Sequence, residues 1–146
     1  MKKLLVSLLL LAVSGWVYAA DYTPKGWLTD AEAAQKQAQE QSRPIMVLIS
    51  GPEWCPPCRQ LEKTVISKAA FLEFVQQNAV GLFVHVPHSG LSAETRKLLH
   101  KLTFFRGVVP SYAVTDADFN VLATPKGRTI DDFKTAIKEA AEKLKK

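Results

Sequence analysis

Along the 146-residue chain, apolar and polar positions alternate with two distinct periods. Residues 45–49 (Ile-Met-Val-Leu-Ile) are apolar at odd and even positions alike, between Pro44 and Gly51-Pro52. So short a run, bounded by chain breakers, predicts a central strand covered on both faces. A second β-rich run, residues 80–86 (Val-Gly-Leu-Phe-Val-His-Val), stops at Pro87. Between and around these runs the period is helical. Thr29 with Glu32 three residues on reads as a capping box, opening an Ala/Gln-rich helix to Gln41. Residues 55–65 suit a helix, and Ser67 reads as the cap of a second piece to Asn78, with Phe71, Leu72, Phe74 and Val75 on its buried face. Ser92 opens a helix to about Leu102. Residues 111–115 and 120–123 predict two short strands joined at Asp116-Ala117-Asp118-Phe119 as a hairpin. Thr129 caps a last helix, in which Ile130, Phe133, Ile137, Ala141 and Leu144 share one face. Lys143, Lys145 and Lys146 suit its negative C-terminal end. The order α-β-α-β-α-β-β-α predicts an α/β fold. Its first two strands are parallel through a helical crossover, and its last two form an antiparallel hairpin.

The first residues break this pattern. Lys2-Lys3 precede a ten-residue stretch, Leu4 to Val13, that is apolar except at Ser7, then Ser14, Gly15 and the sequence Val17-Tyr18-Ala19. That is the layout of a secretory signal peptide, residues 1–19, cut after Ala19 with small residues at −3 and −1. Ten residues of helix reach about 15 Å, half of a hydrocarbon core of about 30 Å. Removal rather than stable membrane insertion is therefore expected, and no Cys near the cut offers a lipid attachment point. Residues 20–28 read as an irregular arm anchored by Trp27, and residues 29–146 as one domain, expected to be monomeric. The expected location is periplasmic or secreted. Without Lys2 and Lys3 the net charge of +5 falls to +3, with basic and acidic residues interspersed, so charge nominates no nucleic-acid partner. At 47% hydrophobic and 23% charged, the composition excludes a disordered chain.

Export places both cysteines, Cys55 and Cys58, in an oxidising compartment. The segment Glu53-Trp54-Cys55-Pro56-Pro57-Cys58 sits where the apolar strand gives way to a helix. That position puts Cys55 at a helix N-terminus, where unpaired N–H groups favour a thiolate, with Cys58 on the same face one turn on. One exposed, ionisable sulfur with a second tucked behind it is what dithiol–disulfide exchange requires. A purely structural disulfide closing so short a ring would add little stability. A zinc site would need further ligands, for which only His85, His88 and His100 are candidates, so no metal is expected. No Gly-rich phosphate-binding motif suggests a nicotinamide or flavin cofactor.

With Trp54-Cys55-Pro56-Pro57-Cys58 after a buried strand, the βαβ…ββα order, and Pro110 ahead of the next-to-last strand, the chain resembles the thioredoxin superfamily. The long arm and first helix are similar to exported thioredoxin-like proteins and to the C-terminal domain of the DsbD electron carrier. The resemblance implies a thioredoxin fold, Cys55 as nucleophile and Cys58 as resolving cysteine. It implies Trp54 as the aromatic beside the site, and a cis-proline at Pro110 whose loop, with Val109, helps bind substrate. Val109 stands where thioredoxins proper tend to carry Thr and some oxidases Val. Two departures stand out. The strand 45–49 lacks the buried Asp that serves thioredoxins as a proton acceptor, and Gly107-Val108-Val109-Pro110 has one residue more than the usual G-x-P. Glu53, the acid closest in sequence, reads as solvated, and His85 as a hydrogen-bonded core residue. Phe104, Phe105 and Arg106 lead into the Pro110 loop and offer it an apolar rim, although as single residues they read as core. The implied function is an exported thiol–disulfide oxidoreductase acting on protein disulfides, with a redox partner protein and no cofactor. An oxidase or isomerase, a non-catalytic binding module of the same fold, and a copper-handling dithiol remain the alternatives.

Overall fold

The computed structural model describes residues 21–146; the expected signal peptide, residues 1–19, lies outside the described residues. Strand β1 (Ile45–Ser50) is buried along its whole length. It pairs in parallel with β2 (Val80–His85), Ile45 opposite Val80 and Ser50 opposite His85. On its other side it pairs antiparallel with β3 (Ser111–Thr115), which pairs antiparallel with β4 (Val121–Ala123). The sheet order β2-β1-β3-β4 makes β1 an inner strand. Alternate β1 side chains enter different cores. Met46 and Leu48 join Leu61, Val65, Phe71, Phe133 and Ile137, whereas Ile45, Val47 and Ile49 join Ala34, Ala38, Leu99 and Leu102. The unbroken apolar run is thus explained by period-two alternation into two buried layers.

Helices α1 (Ala31–Gln41) and α4 (Ala93–Lys101) cover one face. The other carries α2 (Pro56–Leu61), α3 (Ala69–Asn78) and α5 (Ile130–Leu144). A π-helical turn, Glu62–Ile66, continues α2. The predicted caps at Ser92 and Thr129 are present, the latter in a full capping box with Asp132. Two caps differ from expectation. The first helix is capped by Asp30, whose carboxylate accepts from the Ala33 N–H at 2.6 Å, because a carboxylate one residue closer outcompetes the Thr29 hydroxyl. Ser67 caps nothing ahead of it; its hydroxyl donates back to the Glu62 carbonyl at 2.8 Å, closing the π-helical turn, and α3 starts after Lys68. Asn120 belongs to the hairpin turn rather than to β4, since its N–H and side-chain amide both donate to the Asp116 carboxylate.

The arm extends the sheet by one bridge. Leu28 N–H donates to the Gly81 carbonyl and Phe83 N–H to the Leu28 carbonyl, each at 2.8 Å. Trp27 is buried, its ring 6.4 Å from that of Phe71.

Phe133 shows no exposed surface and meets Phe71 edge-on at 5.7 Å and Tyr112 at 4.7 Å. Truncating it opens a cavity in the layer beneath the redox helix. Phe133→Ala should cost about 3–5 kcal/mol in chemical unfolding; a cost below about 1 kcal/mol would show that the α5 layer is not built as described.

Candidate redox site

Everything at this site hangs from the C-terminal end of β1. After Ser50 the chain turns through Gly51 and Pro52, with the N–H groups of Trp54 and Cys55 donating to the Gly51 carbonyl at 3.2 and 2.9 Å. Gly51 admits no side chain: a Cβ there would lie 2.6 Å from the Val86 carbonyl oxygen and collide with the Trp54 indole. The indole packs in that space and donates its N–H to the Val86 carbonyl at 2.8 Å, leaving the ring 41% exposed. Arg59 reaches back to the Pro52 carbonyl at 3.0 Å and ties the turn to the helix.

Cys55 is the N-cap of α2 and is joined to Cys58 as a disulfide, their Cα atoms 5.2 Å apart. The Cys58 N–H points at Cys55 Sγ, 3.2 Å away. Pro56 and Pro57, both exposed, fill the first helical positions and have no N–H to offer. The expectation of one exposed and one hidden sulfur does not hold in this disulfide form. Both residues are buried, Cys55 at 4% exposure and Cys58 at 2%. The cover over Cys55 comes from a distant loop, whose Val109 carbonyl oxygen lies 3.6 Å from its sulfur.

In that loop the Val109–Pro110 peptide is cis, as the resemblance implied. The additional residue before the proline is taken up locally. Gly107 adopts φ +80°, a left-handed conformation that suits glycine. Val108 swings out to 67% exposure, and the Ser111 hydroxyl donates to its carbonyl. Phe104 and Phe105 are half-buried against the α1–α4 core, as read from the sequence. Trp54, Val108, Val109 and Pro110 thus surround the disulfide with an apolar, partly open surface.

Two acids flank the cysteines. Glu53 is not simply solvated, and His85 is not a core residue. His85 ends β2 half-buried, and its Nε2 lies 2.9 and 3.0 Å from the two Glu53 carboxylate oxygens, while the His88 N–H donates to the same carboxylate at 3.3 Å. The Tyr22 ring of the arm sits 5.6 Å from the His85 ring. The second acid, Glu62, lies one turn after Cys58. With Cys58, Ser50, Tyr22, Pro24 and Phe83 it lines a cavity of about 10 Å³, about the room that one water requires. A groove of about 670 Å³ lies elsewhere, between the arm, α1, β2 and α4, and neither cysteine lines it. Among the described residues no cluster of three or more His, Cys, Asp or Glu is placed to hold a metal.

A family model described as thioredoxin-like matches residues 26–117, more than half of the chain. The chain belongs to the thioredoxin-like family. A solved structure of a DsbH oxidoreductase superposes with a TM-score of 0.62, covering 77% of this chain and 83% of that one at 21% identity, which supports the fold. A thioredoxin from Thermus thermophilus covers 84% of this chain and 86% of its own at 19% identity, with a TM-score of 0.47. No curated protein matches the sequence.

In this thioredoxin-like protein, then, a CxxC pair stands at disulfide distance beside a cis-proline loop. Sequence reasoning missed the Glu53–His85 pair, because the partners are 32 residues apart and only the β1–β2 register joins them. It also missed Glu62, for which a signal existed: spacing of four from Cys58 on one helix. Burial raises the Glu62 carboxyl from its ordinary value. For Glu53 burial also works upward, but it is outweighed by the hydrogen bond and charge of His85 and by the backbone N–H groups, which together hold the carboxyl below its ordinary value. A carboxyl depressed in the folded state contributes stability above its unfolded value, and that contribution disappears as pH falls through the folded value. By NMR titration, Glu53 should therefore titrate below free glutamate and move upward in His85→Ala. An unchanged titration in that variant would show that His85 is not what holds it down.

Proposed function

We propose that this thioredoxin-like protein is an exported thiol–disulfide oxidoreductase that reduces or exchanges disulfides of other proteins. One observation carries the reading: a redox-capable Cys55–Cys58 pair capping α2, faced by the Val109 carbonyl and rimmed by exposed Trp54 and Val108. A site of that shape receives an extended segment of a protein substrate. Trp54 supplies an apolar wall, and Val109 with Pro110 supplies backbone beside the sulfurs. In the reduced form the Cys55 thiolate attacks a substrate sulfur, giving a mixed disulfide and releasing a substrate thiolate. Cys58 then attacks Cys55 Sγ, releasing the second substrate thiolate and leaving the Cys55–Cys58 disulfide. A redox partner protein returns two electrons to it, as in the electron-carrier proteins the sequence resembles. The signal-peptide pattern of residues 1–19 supports export, to the periplasm or outside the cell. No helix among the described residues is long and apolar enough to cross a membrane.

The direction of exchange follows from the helix N-terminus. A thiolate at Cys55 draws its stabilisation from nearby N–H groups, and the Cys58 amide is the one aimed at the sulfur, at 3.2 Å. The two prolines between contribute none, and no histidine stands between the cysteines. A weakly stabilised thiolate means a weakly stabilised reduced form, hence a reducing dithiol.

Insulin-disulfide reduction by the dithiol should be abolished by Cys55→Ser. Cys58→Ala should accumulate mixed disulfides with exported proteins in the cell, and a protein that traps none would be a binding module. Equilibration against glutathione should give a potential nearer to about −270 mV, as in thioredoxin, than to about −120 mV. A value above about −170 mV, beyond the isomerase range, would reverse the direction and make the protein an oxidase.

A further inference from the structure

The resolving step demands a base that neither strand beside Cys58 provides. Cys58 attacks only as a thiolate, yet it is 2% exposed, and an apolar surrounding works against ionising a thiol. Around its cavity β1 contributes Leu48 and Ser50 and β2 contributes Phe83, none of them a base at neutral pH. Glu53 does not line the cavity, and its carboxylate is bound to His85 on the Trp54 side.

We propose that Glu62 is the proton acceptor for the Cys58 thiol, reached through a one-water cavity that the N-terminal arm closes. Glu62 follows Cys58 by one helical turn, so the two side chains leave the helix on the same face, and both line the same cavity of about 10 Å³. Its carboxylate has no hydrogen-bond partner among the described residues, in contrast to that of Glu53. Tyr22 and Pro24 of the arm form the outer wall, with Pro52, Leu61 and Ile66 completing it. Tyr22 is the other titratable group lining the space; Arg59 and Lys63 lie exposed on the same helical segment, and the groups from β1 and β2 are uncharged. Burial also raises the carboxyl, and a base whose proton affinity approaches that of a thiol is the more effective acceptor.

The Cys58 thiol gives its proton, through the water, to the Glu62 carboxylate. The resulting thiolate attacks Cys55 Sγ, forming the Cys55–Cys58 bond and breaking the bond between Cys55 and the substrate sulfur. The substrate leaves as a thiolate, and Glu62 later returns its proton to solvent.

This inference rests on the proposed exchange activity, and one experiment separates the two. Reduced protein is mixed with glutathione disulfide, quenched in acid, and followed by mass spectrometry as the Cys55–glutathione adduct forms and collapses. Failure to form any adduct would reject the exchange activity itself. With the adduct formed at the wild-type rate, Glu62→Gln should collapse it at least about tenfold more slowly near pH 6.5. The difference should close to within about twofold near pH 9.5, above the ordinary thiol range, where hydroxide takes the proton. Glu62→Asp, which keeps a carboxylate, should collapse faster than Glu62→Gln near pH 6.5. Equal collapse rates at pH 6.5, or an equal slowing at every pH, would overturn the assignment, the latter because a merely structural defect has no pH dependence. Tyr22→Ala, by admitting bulk water, should shrink the penalty of Glu62→Gln; an undiminished penalty would remove the arm from the proposal.

Discussion

The pairing of β1 on both edges and its burial on both faces is the constraint from which the redox site follows. A strand so placed cannot slip by one residue without moving Ile45, Val47 and Ile49 into the layer that holds Met46 and Leu48. Its register with β2 sets Ser50 opposite His85, and its register with β3 sets Ile49 opposite Ser111. Three segments far apart in sequence are thereby delivered to one end of the sheet: the turn leading to Cys55, the end of β2 with His85, and the loop that enters β3 through Pro110. The site is assembled by sheet register, and the cysteines need only a short turn to reach it.

That origin also decides what could be read from the chain. The β1 run, the parallel crossover, the hairpin and the caps at Ser92 and Thr129 are local or periodic signals, and local signals survive translation into structure. Where two neighbouring residues compete for one role, the sequence underdetermines the outcome. Thr29 and Asp30 are both good N-caps, and the carboxylate prevails; Ser67 is a plausible cap forward, but a π-helical turn ends at Ile66 and its hydroxyl closes that turn instead. Of the site, Cys55, Cys58, Trp54 and the cis bond at Pro110 were legible as a motif. The burial of Cys55 was not, since its cover is Val109, 54 residues on. The same holds for His85, whose apolar neighbours in sequence suggest a core position although it sits at the open end of its strand.

The loop before Pro110 shows how a departure in length is tolerated. An added residue in a loop costs little so long as its ends stay where they were. Here Gly107 bends in the left-handed region and Val108 is displaced outward, so the Val109 carbonyl still meets Cys55 and Ser111 still enters β3 in register. The displaced side chain is apolar and largely exposed beside the disulfide. A solvent-facing valine in that place buries little apolar surface for the fold.

The two acids beside the cysteines then differ by environment rather than by type. Glu53 faces an imidazole and backbone N–H groups, so its charged form is favoured and it acts as a fixed anion tying β2 to the active-site turn. Glu62 lines a small, largely apolar cavity and has no hydrogen-bond partner among the described residues, so burial disfavours its charged form and raises its carboxyl from the ordinary value. A buried Asp in the strand would have had to be accommodated within one of the two apolar layers that the β1 side chains enter. Placing the acid on the helix leaves that layer wholly apolar and locates the charge at the cavity rim, where the arm's Tyr22, packed against His85, is in contact with both the anion's partner and the cavity wall. Environments that push two carboxyl groups in opposite directions are how one residue type serves two roles within a single site.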